Sequence, residues 1–298
     1  MNPLGKQYTR NLNETFKHEL STTNTLNIKD RDLNNIGFIG AGQMAKALAV
    51  GIAQSAKQKI NFFISDPCDD ACASFVQLIG EAHNITRVEG NQNLADCSEL
   101  IFLAVKPQYL NLAIEDVQFK NDPLICSIVA GIRTFELQRL TGTQRIIRMM
   151  PNRPCLIGMG ACGMTADSEV DLSDRQTLKA MLEPMAVVVE VSETLLDSVT
   201  GLSGSGPAFV FTFIESLIDG AVLTGMPRAT ARQLAIQTVL GSAKMLQETG
   251  EHPAILRDGV ASPGGTTIEG IKALEENSFR DAVISAVQAA TERSRELG

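Results

Sequence analysis

Tryptophan is absent from this 298-residue sequence, tyrosine occurs twice and histidine three times. So thin a set of aromatics argues against a surface that stacks nucleic-acid bases. The histidines, His18, His83 and His252, lie far apart. No zinc set and no Ser/His/Asp or Cys/His constellation can be argued from them. Cations are the minority, 26 against 34 acidic residues for a net charge of −8. That balance excludes the basic face of a non-specific nucleic-acid binder. No apolar run approaches the roughly 18–20 residues of a membrane-spanning helix. The apolar core of a secretory signal is missing from the N-terminus. The six cysteines, Cys68, Cys72, Cys97, Cys126, Cys155 and Cys162, are scattered. Such a pattern fits reduced, mostly buried thiols in a reducing compartment, and hence a cytoplasmic protein without nucleic-acid or membrane partners.

What is present is 44% hydrophobic residues, enough for a sizeable core. At roughly 150 residues per domain the length suggests about two domains. Residues 1–34 read apart from the rest, rich in Asn and carrying Glu14, Glu19, Asp30 and Asp32. Those acids make a poor transit peptide. The stretch is expected to be a loosely ordered extension, or the product of a start assigned too far upstream.

From Asn35 the pattern sharpens. The apolar run Ile36-Gly37-Phe38-Ile39 leads into Gly40-Ala41-Gly42-Gln43-Met44-Ala45, and a helix is expected from Ala45 to about Ala56. Strand, G-x-G-x-x-A, helix is the context that the dinucleotide fingerprint requires. The first glycine serves the tight turn, the second the approach of a pyrophosphate, and the small third residue close helix–strand packing. The helix start then offers unpaired N–H groups and a positive dipole end. A second strand is expected at Asn61–Ser65, with Ser65 and Asp66 at its end, where ribose specificity is set. Asp66 can accept a bond from a 2′-hydroxyl or cap a helix that begins at Pro67, and the two roles are compatible.

The alternation continues through Leu100–Val105, Leu124–Val129 and Arg145–Met149, continuous apolar runs suited to parallel strands covered on both faces. Ligands bind outside the carboxyl ends of such strands. That position marks Ala104–Pro107, Ala130–Gly131 and Asn152, with Lys106 open to a second reading as a solvated strand end. A Rossmann-type domain over 35–193 is therefore expected, followed by an all-helical domain over 194–298.

In that second part, residues 200–208 read as a hinge-like turn. The helix Ala208–Leu223 is apolar nearly all round and must be buried on all sides. A partner subunit is the economical cover, so a homo-oligomer is expected. Helices follow from Pro227 to about Glu248, His252–Val260, Ile268–Glu275 and Phe279–Leu297. The loop Gly264-Gly265-Thr266-Thr267 precedes one of them. It suits a carboxylate site of amides and dipole, or an ordinary capped helix start.

These residues carry a resemblance. The chain is similar to the pyrroline-5-carboxylate reductase family over about residues 35–297. The motifs are Gly37–Met44, Ala104-Val105-Lys106-Pro107, Met150-Pro151-Asn152, Gly201–Ala208 and the segment Pro253–Glu275 around Ser262-Pro263-Gly264-Gly265-Thr266-Thr267. The resemblance implies reduction of a cyclic imine acid, 1-pyrroline-5-carboxylate, to L-proline with NADPH or NADH. It implies a Rossmann domain joined to a helical dimerisation domain, usually in a decamer of five dimers. Cofactor contacts are implied at Ile39, Gly40, Ala41, Gly42, Gln43 and Met44, at Ser65 and Asn91, at Ala104, Val105, Lys106 and Pro107, and at Ile128 and Ala130. Substrate contacts are implied at Thr266, Thr267 and Glu193, with the helical loop of one subunit closing over the nicotinamide of another.

In this reading Thr267 hydrogen-bonds the ring nitrogen, and amides of Gly265, Thr266 and Thr267 hold the carboxylate. A protonated imine is already electrophilic, so orientation and exclusion of water matter more than a strong acid or base. Where many relatives carry Asn before the valine of that loop, this chain has Gly259. The acidic Asp66, set against serine and backbone amides, leads to an expectation of dual cofactor use with NADH well accepted. A 3-hydroxyacid dehydrogenase would share the build. Its lysine position is Val210, which takes no proton. A non-catalytic nucleotide sensor would keep the phosphate loop and lose the substrate loop, whereas both are present.

Overall fold

In the computed structural model, residues 33–56 and 58–297 are described. The extension expected over 1–34 lies outside the described residues apart from Leu33 and Asn34. Leu33 is buried in the core. The amides of Asn34 and Asn35 donate to the Glu99 carboxylate at 3.1 and 3.0 Å.

Eight strands follow in order: β1 (Asn35–Ile39), β2 (Asn61–Ser65), β3 (Asn84–Arg87), β4 (Leu100–Leu103), β5 (Leu124–Ser127), β6 (Ile146–Pro151), β7 (Gly160–Ala166) and β8 (Ala186–Glu190). Between them run α1 (Gln43–Ser55), α2 (Asp69–Ile79), α3 (Asn91–Cys97), α4 (Leu110–Ile114), α5 (Thr134–Thr141) and α6 (Leu172–Leu182). The strands form one sheet in the order β3-β2-β1-β4-β5-β6-β7-β8. All neighbours are parallel except β6 and β7. The chain runs outward from β1 to β3, then returns to β4 on the other side of β1. The carboxyl ends of β1 and β4 therefore flank a topological switch point. This is the doubly wound sheet expected from the apolar runs.

The core forms around Phe38. Its ring stacks on Phe102 of the adjacent strand at 4.8 Å and meets Phe75 of α2 edge-on at 5.4 Å. All three side chains are fully buried, each a large share of the apolar area removed from water.

Strands β3, β7 and β8 are not marked by the sequence periodicity. β7 (Gly-Ala-Cys-Gly-Met-Thr-Ala) is poor in strand-forming residues because its surroundings have no room for them. A Cβ on Gly163 would lie 2.7 Å from Val199, and one on Gly160 would lie 2.8 Å from the Met185 carbonyl oxygen. Packing here overrides β propensity. The expected strands at Leu100–Val105 and Leu124–Val129 end earlier, at Leu103 and Ser127. The residues beyond them form the loops over the sheet's carboxyl edge.

From Glu193 the chain is helical: α7 (Leu196–Val199), α8 (Gly206–Leu223), α9 (Arg228–Thr249), α10 (Pro253–Gly259), α11 (Thr266–Glu276) and α12 (Phe279–Leu297). The hinge-like turn expected over 200–208 is instead one wide π-helical turn, Thr200–Gly204. Two hydroxyls keep it helical by donating back one turn, Thr200 to Leu196 and Ser203 to Val199, both at 3.0 Å. Gly201 presses on α12, where a Cβ would lie 2.8 Å from the Val287 carbonyl oxygen.

Glu193–Leu223 is thus a single helical run of 31 residues, long and apolar enough to cross a membrane by length and composition. The sequence reading found no such run because Thr200, Ser203, Ser205 and Thr212 interrupt the apolar string. The burial expected of Ala208–Leu223 is not met within one chain. No residue of α8 is buried, and Phe211 is 61% exposed.

The stacked aromatic core makes a direct test. Phe38→Ala should lower the unfolding free energy by about 3–5 kcal/mol. The fall is to be read from the denaturant midpoint by circular dichroism, since the chain has no tryptophan to report it.

Candidate functional site

Gly40 ends β1 with a φ of +100°, and a Cβ there would lie 2.7 Å from the Ala104 carbonyl oxygen. Only glycine lets the two strand ends approach this closely. The approach is bonded on both sides. Gly40 N–H donates to the Ser65 carbonyl at 2.9 Å, and Ala104 N–H donates to the Ile39 carbonyl at 2.9 Å. Gly42 then precedes α1, and a Cβ at Gly42 would meet nothing within 4 Å. The first-turn amides of α1 have no intrahelical acceptor, and no side chain caps them. Open space over uncapped amides at a helix start is what a pyrophosphate requires. The residues present fit a dinucleotide.

A cavity of about 520 Å³ lies in this crevice. Of the expected cofactor residues, Ile39, Gly40, Gly42, Ser65, Asp66, Asn91, Ala104, Val105 and Lys106 line it. Ala41, Gln43, Met44, Pro107, Ile128 and Ala130 do not line it. Ala41 is fully buried, and Ile128 N–H is spent on the Leu103 carbonyl at 3.1 Å. Asn91 donates its side-chain amide to the Ala113 carbonyl at 2.7 Å, which ties α3 to α4. Sequence reasoning missed Pro67, Tyr109, Leu112 and Ala113, which complete the wall. The signal available was position, since Tyr109 to Ala113 follow the Ala-Val-Lys-Pro strand end.

Asp66 accepts from the Ala41 amide through Oδ2 and from the Cys68 amide through Oδ1, each at 2.8 Å. It is not the cap of α2, whose N-cap residue is Cys68. Asp66 instead bridges the turn after β2 to the loop after β1.

Glu193 lies elsewhere, beside a second cavity of about 250 Å³ bounded by Gly131, Arg133, Arg148, Thr194, Asp197 and Arg295. Its Oε1 accepts from the Thr134 amide at 2.7 Å, the Thr134 hydroxyl at 2.6 Å and Arg148 Nη1 at 2.6 Å. Burial alone would raise the Glu193 carboxyl. The Thr134 hydrogen bonds and the Arg148 guanidinium outweigh it and hold the group below the usual carboxylate range. Glu193, expected at the substrate, is thus committed to joining α5 and β6 to the first helical turn.

The Gly-Gly-Thr-Thr loop opens α11. Gly264 has a φ of +66°, and Gly265 is the N-cap with no side-chain cap bond. The ordinary capped start is therefore not what forms. Gly265 does not supply the amide expected of it, because its N–H donates to the Ser262 carbonyl at 3.0 Å. The first-turn amides of Thr266 and Thr267 have no intrahelical acceptor. None of residues 261–267 lines either cavity.

Four of the six thiols, Cys72, Cys126, Cys155 and Cys162, are buried. Burial pushes Cys162 up to about 12, where a thiolate nucleophile does not form at neutral pH. Among the described residues no group of His, Cys, Asp or Glu could hold a metal ion.

A doubly wound sheet with an open glycine loop at its switch point, followed by a helical domain, is the build of a dinucleotide-binding protein, and the matches make it an oxidoreductase. Residues 35–131 match the family model described as NADP oxidoreductase, coenzyme F420-dependent. Residues 193–297 match the one for pyrroline-5-carboxylate reductase dimerisation. The pyrroline-5-carboxylate reductase of Synechocystis is 43% identical over 265 residues, 88% of this chain and 98% of that protein. The one from Escherichia coli is 40% identical over 266 residues, 88% of this chain and 97% of that protein. The crystal structure of the Plasmodium falciparum pyrroline carboxylate reductase with NADP bound superposes with a TM-score of 0.79 at 33% identity. It covers 90% of this chain and 98% of that one. The chain belongs to the pyrroline-5-carboxylate reductase family.

The Glu193 cluster makes a pH test. A carboxyl held low in the folded state adds stability above its unfolded value, roughly 4.3. That stability is lost as the pH falls through the folded value. Glu193→Gln should therefore lower the Tm near neutral pH, and its deficit against the parent should shrink on acidification. Scanning calorimetry across the acid range checks this, and a deficit that grows on acidification would contradict it.

Proposed function

We propose that this chain reduces 1-pyrroline-5-carboxylate to L-proline with NADPH or NADH, the last step of proline biosynthesis, in the cytoplasm. The observation that carries the reading is the open crevice over the Gly40–Gly42 loop, together with a second glycine-led helix start at Gly264–Gly265. We read the first as a pyrophosphate site and the second as a carboxylate site. They lie on a chain about 40% identical to curated reductases of this substrate.

When bound, the dihydronicotinamide supplies the hydride that forms the new C–H bond as the C=N π pair passes to nitrogen. The protein's own part is placement. Amides of Thr266 and Thr267 hold the carboxylate, Thr267 Oγ1 hydrogen-bonds the ring nitrogen, and Gly265 shapes the turn. No strong acid or base is required of a protonated imine.

Within one chain the substrate loop and the cofactor cavity share no lining residue, so the loop of one subunit serves the crevice of another. The division into a cofactor domain over 35–193 and a helical domain over 194–298 follows from that arrangement. A second copy covers α8 and α9, whose Phe211 and Leu234 are 61% and 54% exposed. The one helical run among the described residues that is apolar enough for a membrane is thereby assigned to a dimer, and five dimers make the decamer. No nucleic acid takes part.

Two measurements test this reading. Thr267→Ala should leave dinucleotide affinity nearly intact and lower kcat by about five- to a hundred-fold, the loss of one hydrogen bond worth about 1–3 kcal/mol. Unchanged kinetics would remove Thr267 from the reaction. Light scattering of the active protein at micromolar concentration should give a dimer or a multiple of it, and an active monomer would contradict the shared site.

A further inference from the structure

We infer that Asp66 sets the dinucleotide preference of this chain and favours NADH over NADPH. The inference rests on reading the Gly40–Gly42 crevice as the cofactor site. Asp66 follows β2 directly and lines that crevice. At this point of a doubly wound sheet the adenosine ribose is read.

The side chain is pinned there. Its two carboxylate oxygens are held by the Ala41 and Cys68 amides, both at 2.8 Å. It therefore cannot swing aside for an incoming phosphate without giving up two backbone bonds. The Ala41 amide, one of the loop donors that an anion could use, is already spent on Asp66. Each carboxylate oxygen keeps a second lone pair, which suits a 2′-hydroxyl donor and repels a 2′-phosphate of nearly two negative charges.

Compensating cations are poorly placed. Lys106 lines the crevice from beyond β4, on the far side of β1 from β2. Arg87, at the end of β3, lies within electrostatic reach of Asp66. It does not line the crevice, and Asp69 holds its guanidinium at 2.6 Å. Asp70 adds a further negative charge at the start of α2. Asp66 thus lines the crevice with Arg87, the base within electrostatic reach of it, already paired to Asp69.

Calorimetric titration of the full-length protein with NAD⁺ and NADP⁺ tests this without any substrate. The parent should bind NAD⁺ at least about ten-fold more tightly than NADP⁺. Asp66→Ser and Asp66→Asn should each narrow or reverse that ratio, mainly by a gain in NADP⁺ affinity. A parent that binds NADP⁺ as tightly as NAD⁺ overturns the proposal. So does an unchanged ratio in both variants, or an equal loss of both dinucleotides, which would leave Asp66 only a shaper of the loop. Arg87→Gln serves as the third variant. A selective loss of NADP⁺ there, with Asp66→Ser unchanged, moves the discrimination to Arg87 and likewise overturns it. Binding of neither dinucleotide would remove the cofactor site itself. The predicted preference without turnover of 1-pyrroline-5-carboxylate would leave Asp66 in place and remove only the substrate assignment.

Discussion

The close approach of Gly40 to the Ala104 carbonyl is the constraint on which the site depends. At a φ of +100° the first residue after β1 turns away from the sheet, and any side chain there would strike the neighbouring strand's end. The Ser65 and Ile39 carbonyls accept the amides that secure this junction. Because β1, β2 and β4 all end within one bonded turn of each other, three loops converge on one crevice. The Gly40–Gly42 loop, the turn at Ser65 and Asp66, and the Ala104–Lys106 wall line that crevice as consequences of the convergence. The phenylalanine stack behind it, Phe38 on Phe102, keeps β1 and β4 in register.

The charges around this edge are arranged by backbone amides more than by ion pairs. Asp66 is held by two N–H groups rather than by a cation. Glu193 is held by an amide and a hydroxyl as well as by Arg148. In both cases a carboxylate links an element of the sheet to a loop or helix from elsewhere in the chain. Asp66 ties the turn after β2 to the glycine loop after β1. Glu193 ties β6 and the start of α5 to the first turn of the helical part, so the sheet and the helices meet at a bonded joint.

The helical part has the opposite character. Its long run Glu193–Leu223 makes its firmest contacts at its beginning, through Gly201 and Ser203, and ends on an α8 with no buried residue. Within one chain the rest of the helical part leaves this segment open. The dimerisation match over 193–297 gives the physical reason. The apolar surface that one chain leaves open belongs to a dimerisation domain, and the glycine loop before α11 sits on the same half.

Residues 35–65 were legible from the sequence, because a strand, a glycine loop and a helix leave signals within thirty residues. The same holds for the apolar strands β4, β5 and β6, and for the helix after the Gly-Gly-Thr-Thr loop, which begins at Thr266 where the pattern expects Ile268. Sequence alone also determined the family, through motifs whose spacing survives in one chain. It did not reveal β7, whose glycines answer to Val199 and Met185 rather than to strand propensity. Nor could it decide Asp66 or Glu193. Both residue types suit a ligand, and both also accept bonds from distant protein partners, Ala41 lying 25 positions from Asp66, and Arg148 and Thr134 lying 45 and 59 positions from Glu193. Local pattern records which elements form, since periodicity and turn chemistry are short-range. Which hydrogen bonds a carboxylate makes depends on which distant backbone reaches it, and only the folded sheet decides that.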